Sequence, residues 1–235
     1  MLLNNYAVDL HIHSTLSPCA DLEMTPNNIV NMCRLKKLDI IAVTDHNSTA
    51  NLPAIHRLCK QHGILLLPGI EVNTKEEVHL LCYFEDLLMA MKFGEIIYNH
   101  LPMINNDEKI FGSQLVLDEN DCVIAQISKL LISSTDISID EMVEIARQYK
   151  GKVVPAHVDR SSYSIINNLG FIPNNLNFNT LEFSNVENFE LYSKVITNEY
   201  KIMKSSDAHY LHQILERNQF FELMNLDTIS LLRCL

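Results

Sequence analysis

The segment Asp9-Leu10-His11-Ile12-His13-Ser14 places two imidazoles two residues apart at the end of an apolar run. Residues two apart on a strand project from the same face, so His11 and His13 stand side by side while Leu10 and Ile12 point the other way. Such a pair repels when both rings are protonated but suits a single divalent cation when they are neutral. Alone, it reads equally well as two surface histidines held by hydrogen bonds. Five further segments change that balance: Thr44-Asp45-His46, Pro68-Gly69-Ile70-Glu71, Val78-His79-Leu80-Leu81, Pro155-Ala156-His157 and Ser206-Asp207-Ala208-His209. All but the third end an apolar run. In the third, an imidazole sits inside the run, where burial without a partner would be costly. The other histidines, His56, His62, His100 and His212, read as solvated helix or loop residues, although His212 is spaced to share a helix face with His209.

Positioning these groups requires strands whose ends meet. Short runs rich in Val, Ile and Leu, at 6–13, 39–46, 63–72, 78–84, 152–158, 179–184 and 201–206, alternate with segments of helical period. That alternation predicts a parallel sheet covered by helices, an α/β fold in which the carboxyl ends of the strands converge on one face. Thr25 followed by Pro26 predicts a helix start. Ser48 or Thr49 opens a second helix, which runs to about residue 61 and ends at Gly63. Further helices are expected at 85–99, 139–149 and 188–199. Residues 101–135 are broken by Asn, Asp and Gly and read as an irregular insertion, with a hairpin around 118–121, within a single domain covering 1–235.

The chain has 235 residues, 47% of them apolar, and 18 basic against 29 acidic side chains give a net charge of -11. Disorder is excluded, and so is a broad surface for nucleic acid. The first residues lack a basic segment followed by an apolar one, so neither a signal peptide nor a membrane span is expected, and the chain reads as cytoplasmic. Six cysteines without a C-x-x-C pair read as reduced thiols. Mixed nitrogen and oxygen donors suit Mn, Zn or Fe better than Ca or Mg.

The six segments, in this order along nearly the whole chain, resemble the PHP family, the polymerase and histidinol phosphatase domain of metal-dependent phosphoesterases. The resemblance implies a distorted (β/α)7 barrel with its metal site at the C-terminal ends of the strands, and two to three divalent ions. It implies that His11, His13, Asp207 and a bridging Glu71 hold one metal, and that His79, His157 and Glu71 hold another. His46 and His209 would hold the third with a residue of the loop Ser17-Pro18-Cys19-Ala20-Asp21-Leu22-Glu23, which is longer than the family's usual turn. Asp21 is the expected ligand there, with Glu23 the solvated alternative and Cys19 a soft one. Asp45 is expected to orient an imidazole. Arg160, just past a ligand segment, is expected to grip substrate phosphate or else to pair with a surface acid such as Asp159.

The chemistry implied is attack on phosphorus by a metal-activated water, with no protein nucleophile and no general acid assigned. The expected substrate is a small phosphorylated metabolite or nucleotide; a long nucleic acid is not expected. Two alternatives are a nuclease acting on oligonucleotide ends and a non-catalytic module that keeps metals for folding. Substrate identity, native metal and oligomeric state are not legible.

Overall fold

A computed structural model of the chain describes residues 3–196 and 200–235. Its strands are β1 (Asn4–Ile12), β2 (Ile40–Val43), β3 (Leu65–Leu66), β4 (Gly69–Asn73), β5 (His79–Tyr83), β6 (Leu115–Leu117), β7 (Val123–Gln126), β8 (Lys152–Pro155), β9 (Thr180–Phe183), β10 (Lys201–Lys204) and β11 (Phe220–Leu223). The helices are α1 (Pro26–Leu35), α2 (Leu52–His62), α3 (Leu87–Asn99), α4 (Glu108–Phe111), α5 (Ile139–Gln148), α6 (Ile165–Leu169), α7 (Phe189–Tyr192) and α8 (Thr228–Leu232).

Local chemistry accounts for the helix ends. Thr25 caps α1 with its side chain, and Pro26 occupies the first turn, where its missing N–H costs nothing. Helix α2 ends at Gly63 as expected, with the glycine in the left-handed region, but begins after Asn51 rather than at Ser48 or Thr49. The expected helix at 188–199 is reduced to α7, and residues 197–199 lie outside the described part.

Parallel pairing holds for β1–β2–β3 and for β9–β10, but β4, β5 and β8 pair antiparallel. For β4 and β5 the cause is connection length. Five residues separate β4 from β5, whereas a parallel crossover needs a dozen or more. The expected strand at 63–72 splits into β3 and β4 around Pro68, a residue that cannot donate to a ladder.

Among the described residues the strands form four sheets, ordered β11-β1-β2-β3, β10-β9, β4-β5-β8 and β6-β7, rather than a hydrogen-bonded ring. The expected distorted (β/α)7 barrel is therefore seen as a mixed α/β fold without closure. Three of these sheets nevertheless share one interior, where Val8, Leu10, Ile40, Leu81, Tyr83, Val154, Met203 and Phe221 pack together. The opposite faces of the same strands, including Ile41, Val43, Leu80 and Cys82, pack with the helices. Single bridges, Ile12 to Ala208 and His46 to Glu71, join chain segments next to the histidine-bearing motifs. The segment 101–135 contains α4 and the hairpin β6–β7 and docks on the first loop. Leu115 N–H donates to Thr15 O at 2.9 Å, and Asp121 accepts from Thr25 Oγ1 at 2.7 Å and Asn27 N–H at 3.0 Å.

Candidate metal centre

Glu71, 1% exposed on β4, lies at the centre of the cluster. Its Oε1 is 2.9 Å from His79 Nδ1, 3.2 Å from His157 Nε2 and 3.4 Å from His11 Nε2. Its Oε2 is 2.8 Å from His46 Nδ1 and 3.4 Å from His13 Nε2. Asp207 Oδ1 lies 3.0 Å from His13 Nε2 and 3.2 Å from His11 Nε2. His209 adds a ring stacked on His13, with centroids 4.3 Å apart. The four remaining histidines stay outside this cluster; His100 instead pairs with Asp136 at 2.7 Å.

Five imidazoles around one carboxylate form a poor hydrogen-bond network and a good donor set. Glu71 Oε2, His79 Nδ1 and His157 Nδ1 are buried without a hydrogen-bond partner, a condition that normally costs about 1–3 kcal/mol per group. Three groups bring their ligand atoms within 4.8 Å of one another: His11, His13 and Asp207; His46, Glu71 and His79; and His13, His46 and His209. The unpartnered Glu71 Oε2 and His79 Nδ1 belong to one such group with His46, and a divalent cation there would satisfy both.

Charge and burial divide the rings. Burial disfavours protonated His11, but Glu182, Asp207 and Glu71 outweigh it and push its pKa well above the ordinary value. Burial, reinforced by the nearby His209 and His46, holds His13 well below that value. Burial likewise lowers His79 to about 4, despite the attraction of Glu71. Against its own burial, Glu71 is driven well below the usual carboxylate range by His79, His11 and His46. The centre thus keeps its carboxylates ionised and some of its rings neutral, as ligands must be.

Outer partners aim the rings. His11 Nδ1 lies 3.1 and 3.0 Å from the two oxygens of Glu182, and Glu182 Oε2 also accepts the His157 backbone N–H at 3.0 Å. Sequence reading missed this buried acid on β9. Asp45 does not touch an imidazole directly. It accepts from Ser17 Oγ at 2.7 Å, and that hydroxyl lies 2.9 Å from His13 Nδ1 and takes the His46 backbone N–H at 3.1 Å. Asp45 therefore acts on His13 through Ser17.

Asp21 is not brought into the cluster. Its Oδ1 accepts the Glu23 N–H at 2.8 Å, so a local turn uses the carboxylate. The loop instead carries the exposed Cys19, whose thiol the charges of His46 and His209 lower to a pKa of about 6 against partial desolvation. Arg160 pairs with Asp207 Oδ2 at 2.5 Å and donates to Ser184 Oγ at 3.0 Å. It does not pair with Asp159, whose carboxylate accepts the backbone N–H groups of Ser184 and Asn185.

A cavity of about 170 Å³ opens onto Glu71, His79, His157, Asp207 and His209, with Arg160, Ser162 and Tyr163 at its rim. The Tyr163 ring stacks on His79 at 4.7 Å and is 45% exposed. His157, Tyr163 and Asp207 all have positive φ, at 29°, 55° and 49°, which concentrates backbone strain at the site.

Part of the chain is similar to characterised proteins. It is 38% identical over 79 residues to the 5'-3' exoribonuclease Rnm of Salmonella typhimurium, covering 32% of this chain and 26% of that one. It is 32% identical over 78 residues to the phosphoribosyl 1,2-cyclic phosphate 1,2-diphosphodiesterase of Eggerthella lenta, covering 31% and 29%. The match thus spans only about a quarter of the length of these curated relatives. The lesion-specific endonuclease Q of Pyrococcus furiosus has a similar fold, with a TM-score of 0.67 and 18% identity over 98% of this chain and 55% of that one. Among the described residues no helix is long and apolar enough to cross a membrane. The family model for the PHP domain matches residues 9–154, more than half of the chain, and the chain belongs to that family.

Proposed function

We propose that the chain is a metal-dependent phosphoric ester hydrolase acting on a small phosphorylated metabolite or on a nucleotide. The observation that carries this reading is the convergence of five imidazoles on Glu71 beneath a cavity of about 170 Å³ with a guanidinium at its rim. The reading takes residues 1–235 as one catalytic domain, with the sheets wrapped as a distorted barrel and 101–135 an insertion beside the site.

His11, His13, Asp207 and Glu71 would hold one ion, and His79, His157 and Glu71 a second. His46 and His209 would hold a third. Mn, Zn or Fe suits this donor set. When bound, such ions supply an acidified water and neutralise charge on the phosphoryl group. The residues do the rest. Glu182 and the Asp45–Ser17 pair fix the His11 and His13 rings, and Arg160 offers its fork to the non-bridging phosphate oxygens. The small cavity admits a phosphoryl group and leaves the rest of the substrate at the rim, over Tyr163.

A second reading, a nuclease that works from oligonucleotide ends, draws support from the relatives named as exoribonucleases and from the exposed Tyr163 face, a surface on which a terminal base can stack. Those relatives temper the expectation against long nucleic acid, although the net charge of -11 still gives no general attraction for a phosphate backbone.

One experiment separates the readings. Protein purified with its native metals, with metals counted, is screened against phosphomonoesters, cyclic phosphodiesters and a labelled single-stranded RNA. EDTA-sensitive phosphate release from small esters supports the first reading. Release of mononucleotides with little action on free monoesters supports the second. No turnover on any substrate by metal-replete protein rejects both.

A further inference from the structure

We infer that Asn51 is a positioning residue of the metal centre, and that the segment 101–135 keeps His13 aimed through it. The inference rests on the metal-dependent reading above and deepens it, by giving that segment a part in ligand placement.

Asn51 is fully buried and faces two ways. Toward the segment, its Oδ1 accepts the Leu117 N–H at 2.9 Å and its Nδ2 donates to Leu115 O at 3.1 Å, so it grips both ends of β6. Toward the centre, the same Nδ2 donates to Ser14 Oγ at 2.9 Å. Ser14 Oγ donates to Asp45 Oδ2 at 2.6 Å, Ser17 Oγ donates to Asp45 Oδ1 at 2.7 Å, and Ser17 Oγ lies 2.9 Å from His13 Nδ1. Buried side chains thus form one unbroken relay, Asn51–Ser14–Asp45–Ser17–His13.

The donors in this relay run in a single direction. A backbone N–H only donates and a backbone carbonyl only accepts, so β6 fixes which end of the Asn51 amide is oxygen. The nitrogen end must then face Ser14 Oγ. That hydroxyl also takes the Leu16 N–H at 3.3 Å, so with both lone pairs engaged its own proton goes to Asp45. Ser17 likewise gives its proton to Asp45 and takes the His46 N–H at 3.1 Å, which leaves a lone pair for His13 Nδ1–H. His13 then turns a bare Nε2 toward Glu71 and Asp207, as a ligand must.

The segment is seated firmly enough to serve. Leu16, between the two serines, is buried against Leu101, Val116 and Leu131. Asn47, next to His46, clasps the other limb with bonds of 2.7 and 2.9 Å to Leu131 O and Ser133 O, while its own N–H donates to Glu71 O at 2.8 Å.

Zinc binding by the metal-free protein, read by competition with a chromophoric chelator, tests this apart from turnover. Asn51→Ala and Ser14→Ala should each weaken zinc about 10-fold, and Ser17→Ala at least as much. Adding Asn51→Ala to Ser17→Ala should cost little more, because members of one network do not add. Asp121→Ala, which frees the far end of the same hairpin from Thr25 and Asn27, should lower the melting temperature and leave zinc affinity unchanged. Ser14→Ala keeps the bonds between Asn51 and β6, and so carries the test if Asn51→Ala fails to fold. Losses that multiply in the Asn51→Ala/Ser17→Ala pair overturn the inference. So does parental zinc affinity in either folded relay variant, or a loss in Asp121→Ala as large as theirs. Coupled zinc affinities in a protein that hydrolyses no phosphoester keep the relay and remove the function. Turnover with zinc affinity indifferent to Asn51 does the reverse.

Discussion

His11, Glu71 and His79 ride on strands, whereas His157, Asp207 and His209 follow strand ends on loops, and the two sets are aimed by different means. The ladder between β4 and β5, with Glu71 opposite Leu81 and Asn73 opposite His79, delivers its ligands with ordinary backbone geometry. The loop-borne set leaves the sheet through positive φ at His157 and Asp207, conformations that cost about 1–3 kcal/mol each. Buried acids from distant strands hold these turns in place. Glu182 accepts the His157 N–H, and Asp9 accepts the Ser206 N–H at 3.0 Å and the Leu215 N–H at 2.9 Å. A sheet thus sets the backbone of its ligands as a by-product of pairing, even where a carboxylate such as Glu182 still orients a ring, while a turn needs carboxylates on its own backbone N–H groups.

Three substitutions break or sharpen this contrast. Glu71→Gln keeps the strand and its volume but removes the charge facing five imidazoles. We expect kcat/KM to fall roughly 10³-fold or more and the metal count to drop, with far-ultraviolet circular dichroism unchanged.

Asp9→Asn probes the loop set through pH. Burial raises the Asp9 pKa from 3.8 to about 6, against the hydrogen bonds it accepts. Between those values the folded chain keeps a proton that the unfolded chain has lost. The resulting stability is complete below the unfolded value and drains away as pH rises through about 6, on the order of 3 kcal/mol in all. Urea unfolding of metal-free protein across this range should show that decline in the parent and a flatter profile in the variant. Equal slopes would remove Asp9 from the account.

Glu182→Gln has the smallest expected effect. It should weaken metal binding or turnover about 10- to 100-fold, because the amide can still accept from His157 but no longer charges His11. A loss as large as that of Glu71→Gln would erase the distinction between ligand and outer partner.

The histidines were legible because their spacing follows the strand period and because most of them end apolar runs, as in Val153-Val154-Pro155-Ala156-His157. Glu182 was not. In Thr180-Leu181-Glu182-Phe183 it looks like the solvent-facing member of an alternating strand, and only its contact with His11, 171 residues away, gives it a role. The choice among Asp21, Glu23 and Cys19 was equally hidden, because side-chain direction in a loop depends on turn geometry rather than on period. The antiparallel β4–β5–β8 sheet was hinted at by the five residues between β4 and β5, a link too short for a crossover. Strand β11 went unread, although its exposed and buried residues alternate. Sheet closure depends on hydrogen bonds between distant strands, which no local pattern encodes.

The bond between His13 and Asp207 spans 194 residues, whereas Glu71 and His79 belong to one short hairpin. Part of the centre can therefore form from local contacts, while the rest requires the two ends of the fold to meet, at a loop-closure entropy on the order of 5 kcal/mol. An ion shared across that gap would act on the unfolded chain as a cross-link does, clipping a loop of nearly the whole molecule. Folding speed should then be set by the arrival of the segment around Asp207, and metal should slow unfolding by fastening the chain where it closes last.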